Sequence, residues 1–333
     1  MTPKTYLINS FRSLFLLGYT VLVLFGPAFG CIRFAHLSTH QVLVGFCMDI
    51  MGSEEPVFTK PFLASLQQLK AKGKIRLTIL PSRFASEYPS ALSALAKRNH
   101  LVFCGPLFSD VIAKAAEEYP ETNFVLMQAI PKGITADIIS LPNLQWILYR
   151  KEDCAFLMSQ ISQHYPEKAS CWLVTDLPDH DPLRMYQKNA FQMGFSDHRS
   201  AVLEWPIQAI ADNQWRQKQT DETSIFCVTE GAYIPSFLTW FSGLPLTEKA
   251  LIMPTEAFSD ELGTYVLGTV LKEYALTLEH TLDSLIESSW KPGVHFKGID
   301  NNGYSVKLND KYWSSNLKSE VESILNATFS PVK

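Results

Sequence analysis

Residues 88–128 read YPSALSALAKRNHLVFCGPLFSDVIAKAAEEYPETNFVLMQ. Apolar residues at helical spacing run over 89–98 and 108–119, and between and after them stand two short continuous apolar runs, LVFC at 101–104 and FVLMQ at 124–128. Ser109-Asp110 mark the start of the second helix and Tyr119-Pro120 its end. Continuous apolar runs of this length, joined by helices, are the pattern of a parallel sheet covered on both faces.

The same alternation extends in both directions. Upstream, strands are predicted over 42–48 and 75–80, with a helix at 60–72 between them; downstream, a strand is predicted over 144–149. The pattern then begins again. A helix at 153–164 leads to strands at 170–175, 200–205, 224–229 and 250–253, separated by helices at 182–194, 208–217 and 232–241. A long helix over 262–289 and strands at 294–299 and 304–308 complete the chain. Two parallel sheets in succession predict an α/β protein of two Rossmann-like lobes, and open sheets of this kind bind ligands beyond the carboxyl ends of their strands.

The N-terminus reads as an export signal. Lys4 and Arg12 precede an apolar stretch at 14–25, which Gly26-Pro27 breaks before Ala28-Phe29-Gly30. A spanning helix needs about 20 apolar residues, which this stretch does not reach, so cleavage is expected over a retained anchor. The cut leaves Cys31 as the first residue in the manner of the bacterial lipoprotein box, which this segment resembles and where the cysteine carries acyl chains. Ala28-x-Gly30 equally suits ordinary signal peptidase, which would release a soluble periplasmic protein.

Of the 333 residues, 47% are hydrophobic and 19% charged, with a net charge of −4. No basic run offers a nucleic-acid surface. The cysteines after Cys31 are Cys47, Cys104, Cys154, Cys171 and Cys227, without a CxxC pair, and four of them lie in apolar runs that suit buried strand fillers. There is no P-loop, GxGxxG, GxSxG or HExxH. The loop from Asp176 through Asp179, His180 and Asp181 gathers acids beside a histidine, but acids ahead of Asp181-Pro182 suit a helix cap. His36 and His40 have i,i+4 spacing without a third ligand. Neither a metal nor a cofactor nor covalent catalysis is expected.

The stretch 88–128 also resembles the basic membrane protein family, substrate-binding lipoproteins that serve as purine-nucleoside receptors of ABC transporters. The family carries a helix ending in ALA, a strand running into a glycine and a following helix ending in a YPDTKF-like strand. Further likenesses lie at Gln145–Leu157 (QWILYRKEDCAFL), Tyr186–Phe195 (YQKNAFQMGF), Tyr265–Lys272 (YVLGTVLK) and Phe296–Val306 (FKGIDNNGYSV). The resemblance implies a type I periplasmic-binding-protein fold, α/β with two lobes and three hinge crossings, here near 147–151, 253–257 and 297–304. It divides the chain into a signal at 1–30, a tether at 31–40, a first lobe of 41–147 plus 257–297, and a second of 148–256 plus 298–330.

The resemblance also implies a ligand set. Asp49 ends the first strand, Met51-Gly52 stands for a glycine-rich turn, and Phe58-Thr59 falls where the family has a stacking Phe and an Asn. Gln128 replaces a ribose-binding Asp, Glu230-Gly231 lies in a former glycine turn, Glu256 falls at a family Asp, and Lys272 matches a family Lys. Plainer readings stand beside these: Phe58 as core, Gln128 as a capping side chain, Lys272 as a surface charge on a helix. The expected partners are a small nucleoside-like ligand, an ABC permease and the membrane through a lipid anchor, with the chain acting as a monomer. A surface lipoprotein that keeps the fold for adhesion is the alternative.

Overall fold

The computed structural model describes residues 41–165, 169–178, 180–195, 200–204, 223–231, 233–244, 249–256 and 262–329. The first sheet is built from β1 (Val42–Met48), β2 (Ile75–Pro81), β3 (Leu101–Cys104), β4 (Asn123–Met127), β5 (Leu144–Tyr149) and β11 (Gly293–Lys297), in the order β11-β5-β4-β3-β1-β2. All of its pairings are parallel. The second contains β6 (Ala169–Thr175), β7 (Ser200–Glu204), β8 (Thr223–Val228), β9 (Lys249–Met253), β10 (Val266–Lys272) and β12 (Tyr304–Leu308), in the order β12-β10-β9-β8-β6-β7. Here β12 runs antiparallel to β10, and the remaining pairs are parallel. The fold is the two-lobed α/β periplasmic-binding-protein arrangement.

Helices connect the strands: α1 (Thr59–Ala71), α2 (Tyr88–Ala96), α3 (Ile112–Glu118), the single turn α4 (Ala136–Ile139), α5 (Lys151–Gln163), α6 (Pro182–Met193), α7 (Ile234–Ser242), α8 (Tyr274–Ile286) and α9 (Ser315–Phe329). Central strands such as β3, with all four residues buried, and β8, with all six, are covered on both faces and so are apolar without alternation. Asp181 caps α6, its Oδ1 accepting from Leu183 N at 2.8 Å. The helix expected over 208–217, and positions 31, 36, 40 and 179, lie outside the described residues.

One expectation is overturned. Residues 262–289 do not form one helix: Val266–Lys272 is strand β10, and helix α8 begins only at Tyr274. The run Val266-Leu267-Gly268-Thr269-Val270 combines β-branched residues with a glycine, poor helix formers that suit a buried strand. Gly268 lets the neighbouring strand pack closely, since a Cβ would lie 3.1 Å from Leu308 Cδ2 and 3.2 Å from the Lys307 carbonyl. Strand β10 therefore belongs to the second sheet and not, with the rest of 257–297, to the first.

The middle crossing between lobes accordingly lies at Glu273, not at 253–257, while the other two fall at 149–151 and 298–303. Each crossing carries a buried tyrosine: Tyr149 ends β5, Tyr274 starts α8 and Tyr304 starts β12. The Tyr149 ring meets Tyr274 edge-on at 5.6 Å and Tyr304 at 5.7 Å. Edge-to-face pairs add about 0.5–1.5 kcal/mol beyond their buried area, so the three chain crossings are fastened to one another. The core is continuous through them, joining Phe46, Phe62 and Phe103 of the first lobe with Leu267 and Leu308 of the second.

Candidate functional site

A cavity of about 630 Å³ lies between the lobes, walled by residues of both. Its inner residues sit where strands end: Asp49 follows β1, Gln128 follows β4, Tyr149 closes β5, Glu230 follows β8 and Lys272 closes β10. This is the carboxyl edge at which open parallel sheets leave a crevice.

The turn after β1 builds one wall. Asp49 is only 6% exposed, and its Oδ1 accepts from Met51 N at 2.9 Å. Burial pushes its carboxyl above the ordinary carboxylate value, against that hydrogen bond. Glu55 accepts from three successive backbone N–H groups, those of Val57 and Phe58 at 2.8 Å and Thr59 at 2.7 Å. Its carboxylate therefore satisfies the orphan donors that open α1 and holds Phe58 in place. The Phe58 ring stacks on Phe62 at 5.1 Å and meets Tyr274 edge-on at 6.0 Å. It also presses on Gly105, where a Cβ would lie 2.6 Å from Phe58 Cε1 and 3.4 Å from Asp49 Oδ2. Phe58 is thus both a core residue and part of the cavity wall.

A polar chain forms the back. Lys272 Nζ donates to Gln128 Oε1 at 2.6 Å and to Glu230 Oε2, and lies 5.3 Å from the Tyr149 ring centre. Gln128 Nε2 donates in turn to the Tyr274 hydroxyl. Burial lowers the Lys272 pKa, and the Glu230 charge opposes that shift. Gln128 adopts φ 61°, a left-handed conformation uncommon for a residue other than glycine, and its backbone N–H donates to the Ile147 carbonyl at 2.7 Å. Gly231 admits the Tyr233 ring and Asp176, since a Cβ there would lie 2.5 Å from Tyr233 Cδ1 and 2.8 Å from Asp176 Oδ2.

Of the residues marked from the sequence, Asp49, Phe58, Gln128, Glu230, Gly231 and Lys272 meet around this one cavity. Thr59 and Glu256 do not. Thr59 is buried at the start of α1, its N–H taken by Glu55, and Glu256 forms an outer-surface pair with Lys307 at 2.5 Å. Glu256 was placed by the crossing expected at 253–257, which lies elsewhere. Lys272 is a buried strand terminus and not the helix-surface charge of the plainer reading. Glu55, Tyr149, Arg150 and Tyr274 escaped sequence reading; the signal for Tyr149-Arg150 was their position where a strand ends at a lobe crossing.

Arg150 is engaged at the rim with Asp153 and Asp300, and its carbonyl accepts from Tyr304 at 3.0 Å. Among the described residues no group of three His, Cys, Asp or Glu side chains converges as a metal site, and Cys47, Cys104, Cys154 and Cys227 are free thiols. Burial drives the thiols of Cys47 and Cys154 up to about 12 and those of Cys104 and Cys227 well above their ordinary value, so all four are inert thiols.

Residues 52–194 match the family model Bmp, described as ABC transporter substrate-binding protein PnrA-like. That is the basic membrane protein family. The Bmp match runs from the turn after β1 through α6 and so takes in Phe58, Gly105, Gln128 and Tyr149, but not Glu230 or Lys272. Solved structures resemble the whole fold. A solute-binding protein of an ABC transporter system from Conexibacter woesei DSM 14684 aligns with TM-score 0.62 at 14% identity, covering 86% of this chain and 95% of its own. One from Aeropyrum pernix K1 aligns with TM-score 0.56 at 14% identity, covering 87% and 91%. A transcriptional activator of the comK gene from Bacillus halodurans aligns as well, with TM-score 0.63 at 12% identity over 86% and 97%. These likenesses establish the fold alone. No curated protein sequence matches the chain significantly.

Proposed function

We propose that this Bmp-type chain is an extracytoplasmic receptor that captures a nucleoside-like planar, polar solute between its lobes and presents it to an ABC permease. The observation that carries this reading is the convergence, on one interlobe cavity, of a ring seated on Gly105, the Asp49 carboxylate beside it and the Gln128–Lys272–Glu230 chain behind. An aromatic platform grips any planar ring, and base–aromatic stacking contributes about 1–3 kcal/mol per base. Closure of the lobes excludes water from the polar contacts and strengthens them. Residues of both lobes wall the cavity, which supports a receptor that closes its lobes on the ligand.

Export by the signal at 1–30 and acylation at Cys31 complete the proposal, since a tether keeps a receptor beside its permease. Palmitate labelling that disappears in Cys31→Ala supports the anchor; unlabelled, freely soluble protein removes it and leaves the receptor intact. The receptor itself is tested by thermal shift with purine nucleosides and bases, because a ligand that binds only the folded form raises its stability. A dose-dependent rise supports it, and a flat response across the panel at millimolar concentration counts against it.

A further inference from the structure

The cavity reverses the usual order of polarity between rim and interior. At its inner end the groups are polar and withdrawn from water: Asp49 is buried, and the Lys272 and Glu230 side chains are 9% and 15% exposed. Its outer lining includes Met51 at 61% exposed, Phe296 at 55% and Leu107 at 45%. Large apolar side chains exposed singly are ordinary, but several gathered on one cavity mark surface that is covered when the protein works. Because these side chains line the cavity that takes the ligand, the ligand itself is the group placed to cover them.

Separate elements converge to make this outer wall. Phe296 of β11 is the register partner of Leu148 in β5, so the two side chains stand on the same face of the first sheet. Leu107 lies in the turn Pro106–Phe108 that leaves β3, and Met51 in the turn that leaves β1. Leu183, on the first turn of α6, joins them from the second lobe. The charges that share the lining here, Arg150, Lys151 and Glu152, are consecutive residues where α5 begins, and Arg150 is already paired with Asp153 and Asp300. The volume of about 630 Å³ falls within the range that holds ligands of drug size. A planar head seated against Phe58 and the inner polar groups leaves the space beside Leu107 and Phe296 to a further substituent.

Resting on the receptor reading above, we infer that the mouth is a second subsite, one for an apolar substituent, and that the ligand is amphiphilic. Its class is a planar polar head that carries an alkyl, alkylthio or aryl group, the head bound at the inner end and the apolar group against Leu107, Leu148, Phe296 and Leu183. Each methylene that is fully buried raises affinity about fourfold, so a short apolar group suffices to separate ligands that share one head.

Isothermal titration of the purified protein with adenosine, N6-benzyladenosine and 5′-deoxy-5′-butylthioadenosine places an apolar group at either end of one head. At least one of the substituted nucleosides is expected to bind tenfold or more tightly than adenosine. At least one of Leu107→Ser and Phe296→Ser should shrink that ratio threefold or more, since only the ratio isolates contact between the wall and the substituent. Adenosine that binds as tightly as both substituted compounds overturns the inference and leaves the receptor reading standing. So does a gain that persists undiminished in both folded variants; should one variant fail to fold, the other decides. Silence from all three nucleosides at millimolar concentration overturns the inference and the receptor reading together.

Discussion

Lys272 Nζ, on the last residue of β10 in the second lobe, lies 2.6 Å from Oε1 of Gln128, which follows β4 in the first. The same ammonium binds Glu230 within its own lobe. One cation therefore ties the lobes together across the back of the cleft, immediately before the crossing at Glu273.

Removing one member of this buried pair strands the other. Lys272→Met or Glu230→Gln is expected to cost about 3–5 kcal/mol of folding stability, whereas the double change Lys272→Met with Glu230→Leu recovers most of it. Denaturant unfolding of the three variants checks this. Equal losses in the double and single variants would show that the charges contribute more than their mutual compensation.

Gly105→Ala places a methyl group 2.6 Å from Phe58 Cε1. Phe58 must then shift against Phe62, at about 1–3 kcal/mol for overpacking, and the platform tilts. Thermal unfolding should report the lower stability and titration a tenfold or greater loss of ligand affinity. Unchanged affinity would remove Phe58 from the binding wall.

The Asp49 carboxyl has its folded pKa raised above 3.8, first by burial and then by the Glu55 charge, while the Met51 N–H pulls the other way. In the window from 3.8 upward to the folded value, the folded state holds more protons than the unfolded state, so this group's contribution to stability falls as pH rises. Asp49→Asn should flatten that part of the stability profile. Ligand affinity should move in the opposite sense, strengthening with pH across the same window as the acceptor ionises. Calorimetry over a pH series, with and without ligand, measures both trends; parallel trends would contradict the assignment.

Glu55→Ala deprives three backbone donors of their acceptor. A loss of about 1–2 kcal/mol is expected, the scale of a strong helix cap, together with weaker ligand binding as Phe58 loses its fixed start of helix. Lower stability with intact affinity would confine Glu55 to a structural role.

Most strands were legible because buried parallel strands are continuous apolar runs bounded by turns. Those at 42–48, 101–104, 144–149 and 304–308 lie where the residues place them. The failure at 262–289 has a plain cause: apolar residues continue through β10, the crossing and α8 without a breaker at Glu273, so periodicity alone merged strand and helix. That merger misplaced a lobe crossing, and Glu256 was misplaced with it. Asp49 stood at the end of an expected strand, the edge of a sheet where ligands gather, whereas Lys272 was marked only by the family resemblance, because the residues placed it within a helix. Glu55 was not marked, since its role depends on a loop folding back onto its own N–H groups, and neither was Tyr274, whose ring reaches Gln128 from 146 residues away in sequence.

The most direct test of the account is titration calorimetry of the purified protein against planar bases and their nucleosides, beside Phe58→Ala and Asp49→Asn variants. The account predicts one site per chain for at least one of these ligands, with affinity lost tenfold or more in each folded variant. Absence of heat from every ligand at millimolar concentration, or binding indifferent to both substitutions, would contradict it.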